Sequence, residues 1–191
     1  MDYVYSVLSD SDGENPLDYP AFFCNSMEFF VVATEAQTGN TVYFSKQDIL
    51  QDDYSVLKAL CAIPFVCYPY PVKDTLYFDG ALGDPVPIPK AFELGCDRVV
   101  VFLTRPEDEI RISDSDEKLA RLIQHRYPIA AEKLRRRAEN YNTGVVFVQK
   151  YVKSGKALIV APDDTYGVST LTRDVNKLDW LCRKGYKTAN E

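Results

Sequence analysis

Residues 75–96 read TLYFDGALGDPVPIPKAFELGC. Thr75 to Phe78 is a β-prone run that ends on a carboxylate, Asp79. Gly80 and Gly83 then permit a sharp backbone turn. The prolines of PIPKAFEL are tolerated in a first helical turn, and Gly95 is placed to cap the helix C-terminus. The next segment, DRVVVFLT (97–104), is apolar without alternation, the pattern of a strand buried on both faces. Strand, loop, helix and strand in about thirty residues predict a parallel βαβ crossover and an α/β fold. Ligands of open parallel sheets bind beyond the carboxyl ends of the strands. Asp79 stands at such an end.

Upstream, EFFVVATEAQTGNTVYF (28–44) predicts a β-hairpin turning at Thr38-Gly39-Asn40. Residues 53–63 predict a short apolar helix stopped by Pro64, followed by the irregular, aromatic PFVCYPYPV. Lys73-Asp74 reads as a tight turn, and the first twenty residues read as loop. Downstream, SDSDEKLARLIQHRYP offers Ser/Asp caps and a stripe of Leu119, Leu122 and Ile123. A second helix carries Leu134, Ala138, Tyr141, Val145, Val148 and Val152 at spacings of four and three. KALIVAP (156–162) predicts a strand, and a last amphipathic helix is expected to end near Gly185. This divides the chain into a sheet-bearing part, 1–105, and a mainly helical extension, 106–191.

The net charge of −6 over 191 residues argues against a general nucleic-acid binder, which needs a basic face. The cluster Lys133 to Arg137 lies beside Glu132 and Glu139 and reads as a solvated helix face. Five cysteines without C-x-x-C spacing give no support to metal-ribbon or redox chemistry and are expected to serve mostly as small buried hydrophobes. The acidic opening MDYVYSVLSDSDGENP is unlike a signal peptide. The longest apolar stretch, 59–72, is interrupted by Pro64, Pro69 and Pro71, short of a membrane span. A cytoplasmic protein is expected, with no cofactor, no metal and at most peripheral membrane contact.

One histidine, His125, excludes metal sites built from several histidines, and its place late on a helix beside Arg126 reads as a surface position. Acid–base chemistry therefore falls to carboxylates, tyrosines or lysines. A carboxylate serves as base for a serine if a rigid loop holds it within hydrogen-bond reach. Composition and spacing leave two readings of Asp79 open: such a base, or a turn aspartate bonded to nearby amides. A pairing of Asp79 with Asp84 as two acid–base carboxylates is a further reading, although Asp84 also reads as shaping the turn.

The longer string LKALCAIPFVCYPYPVKDTLYFDGALGDPVPIPKAFELGCDRVVVFLTRP resembles the second half of the patatin-like phospholipases. In that family A-S-x-x-x-P is followed by Y-x-D-G-G, then N/S-x-P and a helix. LDYPAFFCNSMEFFVVATEAQTGNTVYF resembles the hairpin before it, so the likeness covers roughly residues 18–105, and the remainder resembles the helical extension of a bacterial subgroup. The resemblance implies the C-terminal portion of an α/β sandwich with a mainly parallel sheet, and a lipid acyl hydrolase using a Ser–Asp dyad. Asp79 falls on the catalytic aspartate, in a loop supported by Gly80, Ala81 and Gly83. Phe65, Tyr68 and Tyr70 are candidate acyl-chain contacts, and the partner is a lipid or other ester. The family's Gly-rich oxyanion loop and G-x-S-x-G elbow do not occur in these residues; Gly167-Val168-Ser169 lacks the following glycine. Leu60 stands where the family has serine, and Ala81 where it has the second glycine. The chain alone is expected to be inactive, as part of a longer hydrolase. The alternative is a non-catalytic protein that binds lipid or a partner.

Overall fold

The computed structural model describes residues 2–169 and 172–190. It is mixed α/β, with a four-stranded antiparallel sheet, a two-stranded parallel sheet and helices. The chain forms two units: Met1–Pro85 with Ile112–Asn140, and Val86–Arg111 with Tyr141–Glu191. These bounds differ from the single boundary expected after residue 105.

The first unit contains α1 (Tyr19–Cys24), β1 (Phe30–Glu35), β2 (Thr41–Ser45), α2 (Ser55–Leu60), β3 (Tyr70–Val72), β4 (Thr75–Asp79) and α4 (Asp114–Ile123). Its sheet order is β2-β1-β4-β3. The β1–β2 hairpin runs in register from Phe30 opposite Ser45 to Thr34 opposite Thr41, and Gly39 adopts φ +71° in its turn. Alternation divides the sheet's apolar residues between two faces. Val31, Ala33, Phe44 and Val72 pack with Val56 and Ala59 of α2 on one. Phe78 and Leu82 pack with Ala120, Tyr127, Ala131 and Leu134 on the other. Burying each of the large residues contributes about 1.5–3 kcal/mol. The segment read as loop at the N-terminus includes a wide helical turn, Val4–Leu8.

Helix α5 (Pro128–Lys153) runs through both units. In the first unit its basic cluster does more than face solvent. Arg137 makes a two-pronged pair with Asp116 of α4, which is 1% exposed. Arg135 donates to Glu117 at 3.0 Å and to Gln124 at 2.9 Å. The sequence hid this because the acidic partners come from the preceding helix.

The second unit holds α3 (Ile88–Glu93), β5 (Val99–Phe102), the rest of α5, β6 (Ala157–Val160) and α6 (Val175–Asn190). Val86, Ile88, Val101 and Val148 form its core. Gly95 caps α3 at φ +95°, with Gly95 N–H on the Phe92 carbonyl and Cys96 N–H on that of Ala91, a Schellman closure. Gly155 closes α5 in the same way. Helix α6 runs past Gly185, which is not at positive φ, so that glycine does not terminate it.

Three further expectations are corrected. The strands β4 and β5 do not pair: β4 lies between β1 and β3, antiparallel to both, while β5 pairs in parallel with β6. Both edges of β4 are already taken, so the next strand must find another partner. Nor is β5 buried on both faces. Val101 is buried, but Val100 and Phe102 are 56% and 70% exposed. The cysteines differ too: Cys24, Cys96 and Cys182 are exposed, Cys61 and Cys67 half-buried, and all five are free thiols.

Candidate functional site

Asp79 is the last residue of β4, opposite Ala33 of β1. Its backbone is fixed from both sides. The Asp79 N–H donates to the Ala62 carbonyl at 3.0 Å, and its carbonyl accepts from the Thr34 hydroxyl at 3.1 Å. The carboxylate Oδ1 accepts from the Ala81 N–H at 2.7 Å, which caps a single helical turn, Gly80–Leu82. The Asx-type bond proper to a turn aspartate is therefore present, and it also fixes the direction of the carboxylate.

The turn is sterically specified. A Cβ on Gly80 would lie 2.3 Å from the Val32 carbonyl oxygen, and one on Gly83 would lie 2.2 Å from the Thr41 hydroxyl. Gly80 is required by close approach of the β1 backbone rather than by positive φ, whereas at Gly83 the Thr41 and Thr34 side chains would have to give way. Ala81 sits in the helical turn and is not among the positive-φ residues, so alanine there carries no backbone strain. Leu60 ends α2 and packs half-buried against the first core. Asp84 is bound on both sides: Tyr43 donates its hydroxyl to the carboxylate at 2.5 Å, and the Asp84 N–H reaches the Gly80 carbonyl at 2.9 Å. Sequence reasoning had no signal for Tyr43, which reaches Asp84 across 41 residues of chain.

The three candidate acyl contacts separate. Phe65 and Tyr68, 59% and 85% exposed, line a cavity of about 410 Å³ together with Phe78, Leu122 and Ile123 of α4, and Arg126 and Tyr127 of the segment that follows α4. Tyr70 lies elsewhere, packed on the core that contains Phe44 and Val56. There the Lys58 ammonium stands 5.6 Å from its ring centre. Burial pulls the Lys58 pKa down, but bonds to Asp2 and Tyr70 outweigh it and hold it above the ordinary lysine value. Nearby, burial and the 3.5 Å contact with the Cys61 thiol push the Tyr5 phenol up to about 12. Phe78 belongs to the core facing α4, and Tyr77 packs against the opposite core. Alternation puts Asp79 on the face of Tyr77, so the cavity and the Asp79 carboxylate fall on opposite faces of β4. The α4 side of the cavity, Leu122 and Ile123, had appeared in the sequence only as a helical stripe.

His125 is exposed just beyond α4. Ser169, the nearest approach to an elbow serine, has its hydroxyl 3.3 Å from that of Thr172. Among the described residues no group of three or more His, Cys, Asp or Glu is arranged to hold a metal ion, and no helix is long and apolar enough to cross a membrane.

A carboxylate held this way at a strand end can take a proton from a hydroxyl brought within about 3 Å of it. These residues contain no G-x-S-x-G elbow to present that hydroxyl. The family profile described as "Domain of unknown function (DUF6363)" matches residues 127–191, which include α5, β6 and α6 but not Asp79. A search of curated proteins found no match to the chain.

Proposed function

We propose that this chain is the base-bearing portion of a patatin-like lipid acyl hydrolase, with Asp79 as the base of a Ser–Asp dyad. The serine and the oxyanion donors are supplied by residues outside these 191. One observation carries the reading: Asp79 ends a strand at the middle of its sheet, its carboxylate directed by the Ala81 N–H at 2.7 Å, on a turn whose Gly80 abuts the Val32 backbone and leaves no room for a side chain. That degree of positioning is what a proton acceptor needs and a solvated turn aspartate does not. In the reaction the serine oxygen attacks the ester carbonyl and its proton passes to the Asp79 carboxylate. The proton then goes to the departing alkoxide, and water hydrolyses the acyl-enzyme. The α/β sandwich implied by the resemblance is part of the same proposal. To it the described strands contribute one parallel pair, β5–β6, and three antiparallel pairs. Five free thiols accord with a cytoplasmic setting.

The test is the reading frame upstream of Met1. An open frame encoding a Gly-rich turn and a G-x-S-x-G elbow supports the dyad. A stop codon before any such elbow removes the nucleophile and ends the hydrolase reading.

A further inference from the structure

The cavity that Phe65 and Tyr68 line combines apolar walls with a single cation. Its walls are apolar, from Phe65, Tyr68, Phe78, Leu122 and Ile123, and Arg126 is the one charged residue that lines it. Leu122 is 61% exposed at the end of α4. Helix packing would normally bury a leucine of that stripe. Arg126 is exposed, its guanidinium 5.5 Å from the Tyr127 ring centre. No carboxylate among the described residues pairs with it. The cavity's volume is about 410 Å³. Small-molecule sites span roughly 300–1000 Å³, so this one lies near the lower end. That suits one alkyl chain rather than the two of a diacyl lipid.

A second, independent feature marks the same wall. Phe65 has φ +74°. The left-handed region is sterically unfavourable for a bulky L-residue. Buried Pro64 and Pro69 flank Phe65, and the Cys67 N–H bonds the Ile63 carbonyl at 2.9 Å across the turn. The surrounding turn thus holds Phe65 in a strained position with its ring exposed, where folding alone gains little from it. Strain of this kind collects at ligand sites.

We propose that this cavity binds a single-chain fatty carboxylate of medium length, the alkyl tail against Phe65, Phe78 and Leu122 and the head group on Arg126. Tail burial supplies a favourable increment for each methylene taken out of water. The planar guanidinium matches a carboxylate in two parallel hydrogen bonds. The site is separate from Asp79, on the opposite face of β4, and it stands whether or not Asp79 serves a serine. If Asp79 does serve one, the ligand has the chemistry of a hydrolysis product, and the cavity is a place where product acts on the protein away from the reacting centre.

Isothermal titration of the chain with decanoate, below its micelle concentration, is the test, with decyltrimethylammonium as the charge-reversed probe. Saturable decanoate binding with one ligand per chain is expected. Arg126→Glu should weaken it about tenfold, a difference of about 1.4 kcal/mol, and should not weaken binding of the cationic probe. Leu122→Asp, which puts a charge of the ligand's own sign into the apolar wall, should abolish it. Both side chains are exposed, and circular dichroism verifies that each variant folds. Asp79→Asn should leave decanoate binding unchanged. The proposal is overturned if decanoate does not saturate, if Arg126→Glu binds it as tightly as the parent, or if Asp79→Asn abolishes binding, which would move the ligand to the Asp79 face.

Discussion

Replacing Gly80 with alanine adds one methyl group at the most constrained point of the turn. That carbon would lie 2.3 Å from the Val32 carbonyl oxygen, 2.6 Å from its carbonyl carbon and 2.8 Å from its Cβ. Ordinary contact begins near 3.4 Å, so relief requires a shift on the order of an ångström. Two of the three obstructing atoms are backbone, on a strand bonded to β2 on one side and β4 on the other. No rotamer change removes them. Overpacking of this kind typically costs about 1–3 kcal/mol, and the rigidity of β1 puts Gly80→Ala at about 3 kcal/mol. With a urea m-value on the order of 2 kcal/mol/M, the midpoint should fall by about 1.5 M. Far-UV circular dichroism during urea titration reads this directly. Gly185→Ala is the matched control, because a Cβ there meets nothing within 4 Å in the middle of α6. It should be neutral or stabilising by up to about 1 kcal/mol. A Gly80→Ala chain that unfolds at the parent midpoint would refute the claim that the Asp79 turn is sterically fixed.

Asp116→Ala leaves the Arg137 guanidinium, 14% exposed, without its two-pronged partner. A loss of about 3–5 kcal/mol should appear in thermal melts, and a melt within a degree of the parent would contradict it. On the alkaline side, Tyr5 and Lys58 both have folded pKa values raised above their unfolded values of 10.0 and 10.5. For each, the folded chain keeps its proton when the unfolded chain has lost it. Their stabilisation is full below pH 10 and declines as pH rises through the folded values, about 12 for Tyr5. The urea midpoint should fall between pH 10 and 12, with a shallower fall in Tyr5→Phe. An equal slope in that variant would remove Tyr5 as a cause.

Local chemistry made much of this fold legible. The hairpin at Gly39, the proline-led helix closed by Gly95 and the strand ending on Asp79 all follow from turn and cap residues within a few positions. Strand partners did not. The βαβ pattern of residues 75–104 is a statement about neighbours in sequence, whereas β4 is flanked by β1 and β3, and β5 by β6. Nothing local to β5 records that its partner lies beyond α5. The Asp79 turn was legible because glycines at close approach leave a mark in sequence. The cavity was half legible: Phe65 and Tyr68 stood out as aromatics in an irregular stretch, but their junction with Leu122 and Arg126 is tertiary. Tyr70 follows Tyr68 closely in the chain, yet it turns to the other core because β3 fixes its side.

The central claim, that Asp79 is the base of an acyl hydrolase, is tested most directly by ester turnover in the longer protein that the proposal requires. Wild type and Asp79→Asn would be compared on a chromogenic short-chain ester, with circular dichroism matched between them. Asparagine keeps the shape and the bond from Ala81 but cannot take a proton, so turnover should fall by about 10⁴-fold, as for the aspartate of serine triads. Equal turnover in the two proteins would contradict the account.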